Sequence, residues 1–382
     1  MDVKYEDIVE YIKTNGTDYE HHLKTLSELY EIDETTIYGQ AQKYTLSLLL
    51  KRVISQHNEW IQTLERRKKQ VSFLKNLSLP DQRTPEWYEM RRKVLTASSL
   101  ADALGKGHFK SRDETLYGKI VEQPYEQNPI TQWGVKYEEV ATRYYEELYN
   151  VKIHEFGLVP HPKFPIFGAS PDGICDDTGN DEYTGRMLEI KCPPKRKFTK
   201  TVPPHYLQQV LGQLEVCDLD ECDFFQVKIE EYESWEDYVK DTFLIDDTFI
   251  QGRTFDNHPK GVIVTYKVGE TLSYNYGPMN LKDKELQEWI DQQPKENQYE
   301  TKYWKVTRYE TTLVKRDHQW WNEIQEHILE FFKDLEYYKQ GNNQEILQKR
   351  ILESKKRKKK SFDNEPLDDF QLISDEEDNQ NQ

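Results

Sequence analysis

Glu189 and Lys191 stand two residues apart inside "RMLEIKC", an otherwise apolar run from Arg186 to Cys192. Such a run, preceded by the turn-like "DTGNDEYTG", reads as a strand, and residues two apart on a strand project to one face. Glu189 and Lys191 therefore point together, while Leu188, Ile190 and Cys192 can face a core. Burying a Glu and a Lys without partners costs several kcal/mol, so something must stabilise them. A mutual ion pair is one answer. A divalent cation is another, because Asp172, held between Pro171 and Gly173, brings a second hard oxygen from the preceding turn. Asp172, Glu189 and the backbone carbonyl of Ile190 make a reasonable Mg²⁺ shell once water and a substrate phosphate complete it. Lys191 then sits where it can hold or deprotonate an attacking water and offset negative charge. By itself an Asp followed at a distance by Glu-x-Lys is a weak pattern, and most chance matches are surface ion pairs.

The surrounding chain gives this strand a setting. Residues 1–80 carry apolar positions at helical spacing, in "YEDIVEYIKT", "YEHHLKTLSELYEI" and the long stretch from Tyr38 to Leu77. Pro80 and Pro85 break that pattern, and Thr84 can cap a helix through "EWYEMRRKVL" with Pro85 in its first turn. Further helices are expected over "RDETLYGKIVE" and "QWGVKYEEVATRYYEELYN". The period then becomes two: "VKIHEFGLVPH", "IFGAS", "GICDD" and "RMLEIKC" read as successive strands, followed by a helix "VPPHYLQQVLGQLEVCD" and a strand "DFFQVKIEEY". Helices, a strand meander, a helix and a strand describe an α/β domain with a mixed sheet. Residues 233–300 carry little signal apart from a strand "GVIVTYKV", after which "YWKVTRYETTLVKRD" reads as a strand and "HQWWNEIQEHILEFFKDLEYYKQ" as a helix.

In this order "GASPDG", "LEIKCP" and "YLQQV" resemble the phage lambda exonuclease and YqaJ viral recombinase family of the PD-(D/E)xK nucleases. "WYEMRRKVLTASSLADALG" and "WGVKYEEVA" are similar to that family's early helices, and "KRKFTKTVPPHYLQQVLGQLEV" is similar to nucleases of large DNA viruses. The resemblance spans about residues 82–232, with a further echo in "TLVKRDHQWW". It implies a restriction-endonuclease-like core, a central mixed β-sheet flanked by helices. It also implies Asp172 and Glu189 as metal ligands, Lys191 as the catalytic lysine, Glu138 as an assisting acid and Gln209 as an orienting group, with Gln208 and Gln213 as neighbouring choices. Arg91, Thr96, Ser98 and Ser170 match a pocket for a 5′-phosphate, with Arg92 the alternative to Arg91, and the basic run Lys195, Arg196 and Lys197 adds a DNA-binding track.

Each of these residues also has a plainer reading. Glu138 can be a solvated helix acid, Gln209 an ordinary helix residue, and Thr96-Ala97-Ser98 a helix N-cap signal. Trp87 and Trp133 read as core rings rather than base-stacking platforms. Cys175, Cys192, Cys217 and Cys222 read as buried thiols in a reducing compartment; the resemblance implies that a cluster-bearing relative would place a cysteine upstream of the catalytic aspartate, and none precedes Asp172, so no iron–sulfur cluster is expected. The net charge of −17 argues alone against a nucleic-acid partner, but the acids crowd into the tail and leave Arg186 to Lys200 basic. No apolar run approaches a membrane span and the N-terminus carries no secretory signal, so an intracellular protein is expected.

The expected organisation is a helical region over 1–80, a nuclease domain over 81–340 (core 82–232, insertion about 233–300), and a basic then acidic tail over 341–382, largely disordered. The tail holds "KKRKKK" at 355–360, a candidate nuclear localisation signal as well as a solvated charge run. The expected function is Mg²⁺-dependent exonuclease action on double-stranded DNA ends, 5′ to 3′, with two ions per site and Mn²⁺ as a substitute. A single-strand annealing protein is a candidate partner, and an oligomer is compatible with the chain. The alternatives are a catalytically inert DNA-end-binding scaffold and an endonuclease or RNA-cleaving enzyme with the same metal site.

Overall fold

The computed structural model describes residues 4–121, 128–195, 198–245 and 248–362. They divide into two compact units, Met1–Phe73 and Leu74–Gln382. In the first, α1 (Tyr5–Asn15), α2 (Tyr19–Leu29) and the start of α3 (Ile37–Lys75) bury Ile8, Ile12, Leu26, Leu46, Leu50 and Val53 against one another. The apolar side chains recur three and four apart on these helices, so each presents one stripe to the shared core. Asp18 caps α2 by accepting from the His21 amide.

The second unit begins with α4 (Pro85–Lys93), capped by Thr84 as its sequence predicts. The strand β1 (Leu95–Thr96), the short helix α5 (Leu100–Ala103), and α6 (Arg112–Ile120) with its Ser111–Glu114 capping box follow. Helix α7 (Pro129–Tyr149) ends on Asn150 in the left-handed conformation. The meander is β2 (Val151–His154), β3 (Val159–Pro160), β4 (Phe167–Ala169), β5 (Gly173–Gly179) and β6 (Met187–Lys191), then α8 (Pro204–Cys217) and β7 (Glu221–Glu231). Beyond it lie α9 (Trp235–Lys240), β8 (Phe243–Ile245), β9 (Thr248–Ile250), β10 (Lys260–Val268), β11 (Thr271–Tyr276), α10 (Asp283–Gln292), β12 (Gln298–Lys315), α11 (His318–Lys339) and α12 (Asn343–Phe362).

Seven strands form the central sheet in the order β11-β10-β12-β7-β6-β5-β2. Its parallel pair is β6–β7, joined by the α8 crossover, and its other pairs are antiparallel. This is the mixed α/β core expected from the sequence. Tyr137, Val140, Ala141, Tyr144 and Tyr145 of α7 pack on Leu188, Ile190, Phe225, Val227 and Val306 of the sheet, so rings supply much of the core. Helix α8 approaches closely enough that a Cβ at Gly212 would lie 3.0 Å from the Phe167 ring and 3.3 Å from Ala97. That contact brings the α8 face to the segment after β1.

Residues 233–300, expected as an insertion, contribute to the central sheet, since β10 pairs with β12 along much of its length and β11 extends the edge. The tail is not unstructured from 341 onward: residues 343–362 form α12. Leu347 and Ile351, four apart, bury themselves, while Arg350 reaches Asp113 at 3.1 Å and Lys355 reaches Glu114 at 3.0 Å. In sequence the basic composition of this segment conceals its short apolar stripe. Residues 363–382 lie outside the described residues.

Candidate active site

The centre forms where β6 outruns its neighbour. Pairing with β5 joins Gly173 to Leu188 and Ile174 to Met187, which leaves the next part of the β6 edge open to the turn before β5. Into that gap comes Asp172, whose Oδ2 accepts from the Ile190 amide at 2.7 Å. The Ile190 carbonyl leaves the backbone on the same strand edge. Glu189 has no solvent exposure, and Lys191 Nζ donates to its Oε1. From α8, Gln209 Nε2 donates to the same oxygen at 2.7 Å and Gln213 Nε2 donates to Oε2 at 2.7 Å. Gln209 and Gln213 are one helical turn apart and share a face. Gln208 points elsewhere, its Oε1 accepting from Trp320 Nε1 at 3.2 Å.

The electrostatics follow from this enclosure. Burial, then repulsion from Glu189, pushes the Asp172 carboxyl well above the usual carboxylate range. Burial alone would lower the Lys191 ammonium, but Glu189 and Asp172 outweigh it and hold the group above its ordinary value. Glu138, on α7, is bridged by Arg83 Nη2 at 3.0 and 3.3 Å. Burial raises its carboxyl while Arg83 opposes, and it feels both Glu189 and Lys191 through space. It is therefore more than a solvated helix acid.

Among the described residues no three His, Cys, Asp or Glu side chains converge tightly enough to cage a metal ion. Mg²⁺ does not require such a cage, since it commonly binds through one or two carboxylates and keeps several waters. Two enclosed carboxylates with mutual repulsion, beside a carbonyl edge, are a chemically suitable donor set for a hard cation. Asp172, Glu189 and the Ile190 carbonyl fit it, with Glu138 in electrostatic range.

A second cluster adjoins the first through the Ser170-Pro171-Asp172 segment. Arg91 Nη2 donates to Ser98 Oγ at 3.1 Å, and Thr96 Oγ1 lies 3.1 Å from Ser98 Oγ and 3.2 Å from Ser99 Oγ. Thr96 makes no helix-capping bond, so its hydroxyl serves this cluster and not an N-cap. The Arg91 guanidinium lies over the Trp87 ring at 4.4 Å, and Trp87 Nε1 donates to Ser170 Oγ at 3.1 Å. Trp87 is thus a buried ring, as expected, and also a link between the two clusters. Arg92, the alternative, is an exposed side chain.

Beneath Arg91 the structure holds a residue that the sequence does not suggest. Lys119 Nζ donates to the Arg91 carbonyl at 2.5 Å and to the Val94 carbonyl at 2.7 Å, fixing the end of α4. Burial, with repulsion from Arg91 and Lys110, lowers its ammonium to about 7. Burial also lowers Arg91. The Arg91 guanidinium with hydroxyls around it is a suitable partner for an anion. Of the basic run, Lys195 is exposed, and Arg196 and Lys197 lie outside the described residues. Trp133 packs on the core with Tyr137.

The family model of the YqaJ-like viral recombinase domain matches residues 86–220. An uncharacterized protein of Acanthamoeba polyphaga mimivirus is 29% identical over 314 residues, covering 73% of this chain and 56% of the relative. A protein of African swine fever virus, from the Tick/Malawi isolate, is 30% identical over 162 residues, 35% of this chain and 46% of the relative. The chain thus spans about half the length of the curated relatives it matches. The alkaline exonuclease LHK-Exo of Laribacter hongkongensis is similar in structure with a TM-score of 0.40 and 22% identity, over 71% of this chain and 99% of that one.

Proposed function

We propose, from the match of residues 86–220 to the YqaJ-like viral recombinase domain, that the protein is a metal-dependent DNA nuclease that degrades duplex ends from the 5′ side. The observation that carries this reading is the joining of two sites by one short segment. Ser170 accepts from Trp87, the ring on which Arg91 stacks, and two residues later Asp172 belongs to the acid–lysine centre. A terminal phosphate at the first site would leave the neighbouring phosphodiester near the second.

Asp172, Glu189 and the Ile190 carbonyl would hold Mg²⁺, with Mn²⁺ as a substitute, and Glu138 would assist. The bound ions would lower the pKa of a coordinated water and stabilise charge on the attacking and leaving oxygens. The chain's own groups supply the positioning. Gln209 and Gln213 fix the two Glu189 oxygens, so the carboxylate keeps one orientation. The Lys191 ammonium offers N–H donors to a water or to a phosphate oxygen and offsets the charge that builds there. Arg91, Thr96 and Ser98 bind the terminal phosphate, Arg91 through charge-assisted contacts that its planar fork can make in pairs. Exposed lysines such as Lys195 would add salt-dependent affinity for the backbone.

The test is cleavage of end-labelled duplex DNA in Mg²⁺ by the full chain. Glu189→Gln keeps the shape and removes the charge, so cleavage should fall by at least ~10³-fold while DNA binding survives. A wild-type protein that binds duplex ends but never cuts them would overturn the nuclease reading in favour of an end-binding scaffold.

A further inference from the structure

The loop between α5 and α6 and the first turn of α8 carry rings that the proposed chemistry leaves unused. His108 and His205 stack with centroids 5.3 Å apart and planes 18° from parallel. Phe109 meets His205 edge-on at 5.6 Å and Tyr206 at 6.5 Å. Tyr206 lies 4.9 Å from Lys191 Nζ and packs on Phe224 at 5.6 Å. One continuous path of rings therefore runs outward from the acid–lysine centre. It ends at Phe109, which is 66% exposed.

The loop is built to hold that ring outward. The Lys106 amide donates to the Ala101 carbonyl at 2.9 Å, and the Lys110 amide reaches Asp102 Oδ1 at 3.4 Å. A Cβ at position 107 would lie 1.7 Å from Asp102 Oδ1, so only glycine lets the loop draw this close to α5. Lys106, His108 and Lys110, all exposed, flank Phe109 along the chain. A single exposed ring is ordinary. Several in contact, ending at a lysine of the catalytic centre and bordered by cations, have the composition of a nucleic-acid stacking surface.

Resting on the nuclease reading, we propose that His108, Phe109, His205 and Tyr206 form a stacking platform for the terminal nucleobase of the strand being degraded. The terminal base is tied through one sugar both to the 5′-phosphate and to the phosphodiester that follows it. A phosphodiester at Lys191 therefore places the terminal base within reach of rings that begin at Tyr206. Every base has a π-face, so such a platform holds successive nucleotides without reading their sequence.

The test uses the full chain in chelator, where no cleavage occurs, with 5′-phosphorylated duplex carrying a fluorescent adenine analogue at the 5′ terminus or at an internal position. Binding should perturb the terminal analogue and leave the internal one unchanged. Phe109→Ala should weaken end binding roughly tenfold and abolish the terminal signal. Phe109→Leu, which keeps apolar bulk without a π-face, should behave like the alanine variant, and Phe109→Tyr should restore both readouts. Unchanged affinity and signal in the alanine and leucine variants would overturn the platform, as would full rescue by leucine. Loss of self-association with intact DNA binding would assign the ring to a second copy and also overturn it. These readouts need no catalysis, so the platform can fail while the nuclease reading stands, and the reverse.

Discussion

Glu189 takes three N–H donors on two oxygens, from Lys191, Gln209 and Gln213. At the scale of single residues this is what makes an enclosed acid tolerable, because charge-assisted hydrogen bonds offset its desolvation. The same reasoning applies to Arg91, whose stacking on Trp87 and bond to Ser98 hold its guanidinium in place for an anion. Such contacts are typically worth ~1.5–3 kcal/mol, roughly ten- to a hundredfold. The wild type should therefore prefer 5′-phosphorylated over 5′-hydroxyl ends by about that factor, and Arg91→Ala should erase the preference by slowing only the phosphorylated substrate. Arg92→Ala should keep the preference, and rates on the two ends measured side by side decide between the arginines. Part of this was legible in sequence, since Glu189 and Lys191 follow from alternation on one strand, whereas Asp172 sits in the turn before β5 and meets them only through the fold. The choice among Gln208, Gln209 and Gln213 was only half legible: 209 and 213 share a helical face and 208 does not, but nothing local says which face meets Glu189. Lys119 was illegible, because a lysine among helix charges reads as solvated until the end of α4 is folded over it.

At the scale of elements, α8 is tied to the end of β12. Arg316 Nε donates to Glu215 Oε2 at 2.7 Å, and His161 Nε2 approaches Oε1 at 3.8 Å, too far for a hydrogen bond. Burial would raise the Glu215 carboxyl, but His161 and Arg316 outweigh it and hold it at about 2. A carboxyl depressed by folding contributes stability that is present above its unfolded value near ~4.3 and lost as pH falls toward the folded one. Arg316→Met should therefore be less stable than wild type near neutral pH, a gap that narrows as pH falls toward about 2. Denaturant unfolding at several pH values checks this, and a pH-independent gap would refute it. The strands of the meander were readable from their period. On the far side of the sheet β10 and most of β12 were also readable as strands, but the polar opening of β12, "QYETK", and the edge strand β11 were not. The pairing of β10 with β12 is a long-range contact that local pattern does not encode.

The molecule as a whole consists of two compact units, and every residue assigned here to chemistry or to DNA lies in Leu74–Gln382. The first unit has its own apolar core in Ile8, Ile12, Leu26, Leu46, Leu50 and Val53. Residues 74–382 alone should therefore fold cooperatively and cleave short duplexes in Mg²⁺ at a rate within a few-fold of the full chain. Thermal unfolding establishes the fold, and a folded fragment without activity would place part of the catalytic apparatus in the first unit. No helix among the described residues is long and apolar enough to cross a membrane.

The shared carboxylate of Glu189 also has a consequence for descent. Removing that acid leaves a buried and a half-buried glutamine amide and an ammonium facing an absent acceptor, while removing any one donor leaves an acid partly uncompensated. No single substitution at 189, 191, 209 or 213 is mild, so these positions, drawn from a strand and a helix, are bound to a common fate as the lineage drifts.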